Sequence, residues 1–325
     1  MKAATTTAYG SPDVLQITEV ATPDLGARDV LVRVHASPVT QGDRRLRASD
    51  FPGFTWLPGR LMIGITRPRH RIPGTQFAGR VVAIGDAVTR FSVGDDVFGS
   101  TMHSAQAEFL SIPEDGPIAR MPGQLDHAEA AAVPYGAVTA LHFLRDMAAV
   151  QPGQRVLIVG ASGGVGRFAV QIARHLGAVV TGAASSDFEL VRQLGADRVI
   201  DYNAEPIVGA TGQYDVIFDT SGAIGFRQCR HALTDKGRFL SLIVSARLLW
   251  QMLVTSIFRR GRRAHVGVAL ASAALLEDVR ELVEAGALRP VLAQRYPLEH
   301  IARAHTDLET AGKRGSLVLL MDPAA

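Results

Sequence analysis

The run Val159–Arg174, VGASGGVGRFAVQIAR, holds the most concentrated candidate chemistry in the chain. Gly160, Gly163 and Gly166 recur at three-residue spacing between an apolar run, RVLIV, and a stretch whose apolar residues repeat every three or four positions. A strand that turns through glycines into a helix leaves backbone N–H groups at the helix start. The positive end of the helix dipole lies there too, so the place suits a pyrophosphate. In that reading Gly160 permits the tight turn, Gly163 lets the backbone approach the phosphates, and Gly166 lets the helix pack closely on the strand. Ser162, Gly164 and Val165 complete the loop. The alternative is a close-packed turn without a ligand, and the regular strand–helix alternation around the loop favours a dinucleotide.

The next strand ends TGAASSD. An NAD site would place an acidic side chain at that end to hold the ribose hydroxyls. Ala183, Ala184, Ser185 and Ser186 are neutral, and Asp187 stands where the following helix begins, as its N-cap. Small neutral residues leave room for a 2′-phosphate, so NADP(H) is preferred and NAD(H) stays possible.

These residues need elements to position them. The chain has 325 residues, 47% of them hydrophobic, which suits two domains. From the start to residue 125, short β-type runs such as VLVRVHASPV, GRVVAIG and AEFLSIP are broken by Gly and Pro. From residue 126 alanine-rich helical spacing takes over, and after QPGQ strands alternate strictly with helices: RVLIVG, GVGRFAVQIARHLG, AVVTGAA, DFELVRQLG, RVIDY, YDVIFDTS, FRQCRHALTDKG, RFLSLIV. That alternation implies right-handed parallel crossovers and a doubly wound α/β sheet. The tail adds a strand, a helix and a last strand, SLVLL. One stretch, ARLLWQMLVTSIFRRGRR within residues 243–263, is apolar and then basic. It reads as a helix or loop packed at an edge, with an amphipathic surface segment as the alternative.

Composition excludes several classes. A net charge of +3, with 34 basic residues scattered among 31 acidic ones, does not suit nucleic-acid binding. Cys229 is the only cysteine, which rules out an internal disulfide framework, fits a reducing cytoplasm, and removes zinc sites built from several thiolates. The first residues lack the apolar core of a signal peptide, and no apolar run reaches membrane-spanning length.

Taken together, GDRRLR, PGTQFAGRVVAIGDAVTRFSVGDDVFG, PYGAVTALHFL, VLIVGASGGVGRFAVQIARHLGA, LGADRVIDY and GSLVLL resemble the medium-chain dehydrogenase/reductase superfamily, in its zinc-independent quinone oxidoreductase-like branch. The resemblance covers nearly the whole chain in order. It implies a GroES-like β-rich catalytic domain (1–125 and 288–325) and a Rossmann domain (126–287), with the cofactor between them, and a homodimer. It also implies that Thr139 lies near the nicotinamide ribose and Tyr202 beside the adenosine phosphate. Asp43 matches the family's NPxD aspartate with Thr40 in place of asparagine, and Gln76 replaces the acidic residue of GxDxAG. Relatives with a basic residue after the second strand use it on the 2′-phosphate. Ser186 holds that position here, leaving Lys313 and Arg314 of the tail as substitutes.

Without the ligand cysteines of zinc-dependent relatives, a simple ketone is a poor acceptor, because nothing stabilises its alkoxide. A quinone or α,β-unsaturated carbonyl is better: hydride at the far carbon leaves a delocalised enolate that hydrogen-bond donors can hold. Thr40, Gln76 and Tyr135 are the candidate donors, beside Gln41; each also has a purely structural alternative, as interface packing or backbone satisfaction. Cys229 reads as a buried, inert thiol. Arg44, Arg45 and Arg47, with Arg67, Arg69, His70 and Arg71, form either a solvated face or a lining for an anionic substrate. The second reading of the chain as a whole is a dinucleotide-binding redox sensor or scaffold without turnover.

Overall fold

The computed structural model describes every residue except 52, 258–260, 311–313 and 322–325. In chain order the strands are β1 (Lys2–Thr5), β2 (Gln16–Glu19), β3 (Asp29–Val39), β4 (Gln76–Ile84), β5 (Asp96–Ser100), β6 (Phe109–Pro113), β7 (Ile118–Arg120), β8 (Arg155–Val159), β9 (Val179–Ala184), β10 (Arg198–Asp201), β11 (Tyr214–Asp219), β12 (Leu233–Ser241), β13 (Arg263–Val266), β14 (Leu292–Pro297) and β15 (Ser316–Leu320). The helices are α1 (Gln41–Ala48), α2 (Trp56–Ile63), α3 (His127–Ala131), α4 (Pro134–Leu141), α5 (Gly166–His175), α6 (Phe188–Gln193), α7 (Phe226–Cys229), α8 (Ala246–Ile257), α9 (Ala273–Glu284) and α10 (Ile301–Glu309).

Two compact units emerge. Among the described residues, Met1–Phe51, Trp56–Tyr135 and those from Ala271 to Met321 form the first, and those from Gly136 to Leu270, with 53–55, form the second. Residues 126–135 and 271–287, which the family resemblance groups with the Rossmann part, here cluster with the β-rich unit. Gln124 on that side donates to the Val283 carbonyl at the end of α9, at 2.6 Å.

The first unit is built on a sheet in the order β14-β15-β3-β4-β5-β7, with β6 also paired to β3. The alternating burial of β3, in which Val30, Val32 and Val34 are buried, is what a strand with one covered face requires. The last strand completes this sheet by pairing antiparallel with β3, Leu317 opposite Val39. Phe77, Val81, Val97, Ile118 and Leu319 fill the core between the layers. This is the GroES-like unit.

The second unit carries a parallel sheet in the order β10-β9-β8-β11-β12-β13. Renumbered from β8, the order is 3-2-1-4-5-6, that of a dinucleotide-binding Rossmann sheet, and it reverses direction between β8 and β11. Val156, Leu157, Ile158 and Val159 of β8 are fully buried, the continuous apolar run that a central parallel strand needs because helices cover both its faces. One element is shorter than the sequence reads. FRQCRHALTDKG is a single α-helical turn, α7, followed by a short 3₁₀ turn at Arg230–Ala232, and β12 already begins at Leu233. Leu233 is fully buried in the core, and tertiary burial outweighs helical propensity over so short a stretch. The segment after β12 forms α8, with Trp250 and Leu253 exposed.

Candidate functional site

The glycine loop turns where the sheet changes direction. Gly160 has φ +79°, a left-handed conformation that disfavours any side chain, and a Cβ on it would sit 2.7 Å from the Thr220 hydroxyl. Thr220, the residue after β11, donates its hydroxyl to the Val159 carbonyl at 2.8 Å, tying together the ends of the two strands that flank the switch point. Gly166 starts α5, and a Cβ there would lie 2.0 Å from the Gly160 carbonyl oxygen, so only glycine lets the helix start this close to the strand. Gly163 donates its N–H to that same carbonyl at 2.9 Å, and Gly164 faces open space. The N–H groups of Ser162, Gly164 and Val165 have no acceptor among the described residues. Three donors free among the described residues, beside the positive end of the ten-residue α5, make an anion cradle, and the cradle fits the pyrophosphate of a dinucleotide.

Two polar groups close this site that sequence reasoning passed over. Asp219 ends β11, is 1% exposed, and accepts at Oδ1 from Ser221 N (3.1 Å), Ser221 Oγ (3.1 Å) and Gly222 N (2.9 Å). Its Oδ2 has no partner among the described residues, and burial raises its carboxyl above the ordinary range. It borders a hollow of about 460 Å³ at the carboxyl edge of β11 and β12, shared with Gly222, Ile224, Ser241 and Ile243. That is the edge where open α/β sheets take ligands. The signal available in sequence was the acidic end of the strand YDVIFD.

The other is Arg167, in the first turn of α5. It is 4% exposed, and burial lowers its guanidinium to about 10, with Asp187 opposing that shift. Its Nη1 donates to the Ser162 carbonyl at 3.4 Å. A cation at the positive end of a helix is electrostatically misplaced unless an anion accompanies it. Asp187 supplies one, and here the structure corrects the sequence reading. Asp187 does precede α6, but with φ 58° and no capping hydrogen bond; its Oδ2 instead accepts the Ser186 hydroxyl at 3.0 Å. The left-handed backbone carries the carboxylate away from the helix N–H groups that a cap would serve. The Ser186 hydroxyl is therefore committed as a hydrogen-bond donor to Asp187. Ser185 is exposed, and its carbonyl accepts from Asn203 Nδ2 at 3.1 Å. Tyr202 follows β10 and is half-buried, its N–H reaching the Ala184 carbonyl at 3.2 Å, so it stands with Ser185 at the end of β9. Thr139 is buried within α4. Arg314 is exposed just before β15, in the first unit, and Lys313 lies outside the described residues.

In the first unit Thr40, Gln76 and Tyr135 belong to one polar chain. Thr40 is the N-cap of α1 in a reciprocal box with Asp43. Its N–H and hydroxyl both donate to Asp43 Oδ2, at 2.9 and 2.6 Å, and Thr75 Oγ1 donates to Oδ1 at 3.1 Å. Burial pushes the Asp43 carboxyl up while those hydrogen bonds pull it down. Gln76 opens β4, is 1% exposed, donates to Thr75 Oγ1 at 3.4 Å and accepts the Tyr135 N–H at 3.4 Å. Thr40 and Gln76 are thus held inside the network. Tyr135 is different: the residue is 42% exposed, and desolvation raises its phenol above the ordinary value, with Arg45 opposing. It keeps its proton at neutral pH. Arg47 corrects the solvated-face reading of the basic cluster, since it is 4% exposed and paired with Glu309, whereas Arg67, Arg69 and Arg71 are exposed.

Cys229 is fully buried in α7, and burial pushes its thiol up to about 12. Among the described residues no three His, Cys, Asp or Glu side chains cluster as metal ligands. No described helix is long and apolar enough to cross a membrane.

Comparison with known proteins agrees with this architecture. Residues 26–123 match the alcohol dehydrogenase GroES-like domain, and residues 194–319 match a domain described as zinc-binding dehydrogenase. A quinone oxidoreductase of Lama guanicoe is 31% identical over 99% of this chain and 98% of its own length. The 2-methylene-furan-3-one reductase of Solanum lycopersicum is 30% identical over 98% of this chain and 79% of its own. The solved structure of the quinone oxidoreductase from Coxiella burnetii superposes with a TM-score of 0.85 at 27% identity, covering 99% of each chain.

Proposed function

The chain belongs to the medium-chain dehydrogenase/reductase superfamily, in its quinone oxidoreductase-like branch, and from that premise we propose that it is an NADPH-preferring reductase of quinones or α,β-unsaturated carbonyls that works without zinc. It is a nicotinamide-dependent oxidoreductase by family. The observation that carries the reading is the cradle of free N–H groups at Ser162, Gly164 and Val165, set at the switch point of the sheet.

A nicotinamide dinucleotide held by the glycine loop would supply hydride chemistry suited to the far carbon of an activated alkene or to a quinone ring. This chain's own residues then have three tasks. The glycine loop binds the pyrophosphate through backbone donors. Asp43 holds Thr40 and Thr75, which with Gln76 position the start of α4 through the Tyr135 N–H. Tyr135, protonated and half-open to solvent, donates its O–H to the oxygen on which enolate charge accumulates, and Arg45 lowers the cost of that charge. The lone thiol, buried and held protonated, supports the metal-free part of the reading. The choice of an activated acceptor follows from it, because a simple ketone is hard to reduce with hydrogen-bond donors alone. Homodimerisation and a reducing compartment complete the proposal, the first checked by light scattering.

The test is oxidation of NADPH by a quinone and by an enone, with and without chelator. Chelator-insensitive turnover is the expected result, and dependence on added zinc overturns the mechanism. A second reading, a dinucleotide-binding sensor without turnover, draws on the commitment of the Thr40 hydroxyl to Asp43. Tight cofactor binding with no acceptor turned over would establish it.

A further inference from the structure

A cavity of about 350 Å³ lies wholly within the first unit, between α1, α2 and the loop from Pro68 to Gly74. Its walls are mostly apolar, with Leu46, Met62, Ile72 and Met102 among them, and His70 stacks on His103 at one side with ring centroids 3.6 Å apart. The volume falls at the small end of the range for ligand pockets, about 300–1,000 Å³. Arg47 reaches this wall from the buried face of α1. Its side chain is 2% exposed and its Nη2 pairs with Glu309. The remaining N–H groups, on Nε and Nη1, are buried with no acceptor among the described residues.

A buried guanidinium with unmet donors is expensive, because each polar group removed from water keeps its desolvation cost until a partner replaces the water. Arginine only donates, so the missing partner is an acceptor. The wall's carboxylate does not compete for that place: both Asp43 oxygens are already engaged by Thr40 and Thr75. Beyond Pro68, an adjoining hollow is bordered by Arg67, Arg69 and Arg71, which favours an incoming anion over a cation. Apolar walls, donors unmet among the described residues and positive charge in the adjoining hollow describe one ligand chemistry.

We propose that this cavity binds a small apolar carboxylate, its head group on the Arg47 N–H groups and its hydrocarbon part against Leu46, Met62, Ile72 and Met102. The site uses no residue of the glycine loop, so it stands apart from the cofactor reading.

Calorimetry on the full-length chain with three eight-carbon probes that differ only in head group, octanoate, octan-1-ol and octylammonium, tests it. Octanoate is expected to bind at least about tenfold more tightly than the other two, the order of difference that one charge-assisted hydrogen bond supplies. R47M should remove that preference while leaving octan-1-ol unaffected. Because Arg47 also pairs with Glu309, R47M could fail to fold. M102W then serves instead: Met102 is 60% exposed at the rim, so the indole blocks entry, and octanoate binding should be lost while melting temperature and NADPH affinity stay as in the parent. Equal binding of octylammonium overturns the proposal. So does absence of octanoate binding, which would leave the cavity as a water-filled structural void, and so does a preference for octanoate over octan-1-ol that survives in folded R47M, or octanoate binding that survives in M102W.

Discussion

Gly166→Ala and Gly164→Ala separate packing from ligand binding within three residues of one loop. At Gly166 the new Cβ would stand 2.0 Å from the Gly160 carbonyl oxygen and 2.8 Å from its carbon, where ordinary contact begins at 3.4 Å. The obstacle is backbone, so no side chain can swing aside, and α5 must move off β8 by about 1.4 Å, more than a close-packed interior absorbs without loss. We expect a cost at or above the top of the overpacking range, about 3 kcal/mol, which lowers the melting temperature by about 6–12 °C for a unit of this size. At Gly164 nothing lies within 4 Å and the backbone is not left-handed. Alanine there should leave stability within about 0.5 kcal/mol, while its methyl group enters the space assigned to the pyrophosphate and weakens NADPH binding by about tenfold, or about 1.4 kcal/mol. Thermal melts and fluorescence titration with NADPH, done on both variants, read the two effects. An unchanged melt for Gly166→Ala refutes the packing argument. Unchanged NADPH affinity in Gly164→Ala refutes the placement of the phosphates.

His305 is fully buried, both ring nitrogens lack partners among the described residues, and burial, aided by Arg47, lowers its pKa from 6.5 to about 3. The unfolded chain takes up a proton that the folded one refuses, so stability should fall as pH drops from about 6.5 toward 3, at up to about 1.4 kcal/mol per pH unit. His305→Leu loses no hydrogen bond and should flatten that slope in urea titrations; an identical slope in the variant would count against the assignment. Arg167→Met should lower the affinity for 2′,5′-ADP more than for 5′-AMP, and Asp187→Asn should do the reverse, measured by calorimetry. If both nucleotides change in proportion, these residues do not choose between the cofactors. Cys229 should resist a thiol reagent in native buffer and react once urea unfolds the chain; prompt native labelling contradicts its burial.

The chemistry of the cofactor loop was legible because it is local. A strand, three glycines and a helix read the same in one dimension as in three, and Gly160 and Gly166 meet the steric demands expected of them. The parallel sheet was legible too, since β8 and its neighbours must be apolar throughout to lie between two helical layers. The span of α7 was not, because the choice between one more helical turn and the start of β12 is made by what Leu233 packs against. Asp187 shows the same limit at a single residue. Its type and place suggest a cap, while its left-handed backbone and its bond to Ser186 belong to the fold around it.

The amino-acid sequence by itself determined the two architectures, the glycine cradle and the shortage of thiol ligands, because periodicity, spacing and composition are properties of neighbours along the chain. Only the tertiary structure decided that the Thr40 hydroxyl donates its hydrogen bond to Asp43, that Arg167 and Asp187 share one electrostatic neighbourhood, and that Arg47 is buried with donors unmet among the described residues. Each of those depends on which groups lose water and which partners replace it. Burial brings together residues as distant as Arg47 and Glu309, a separation that no local pattern encodes.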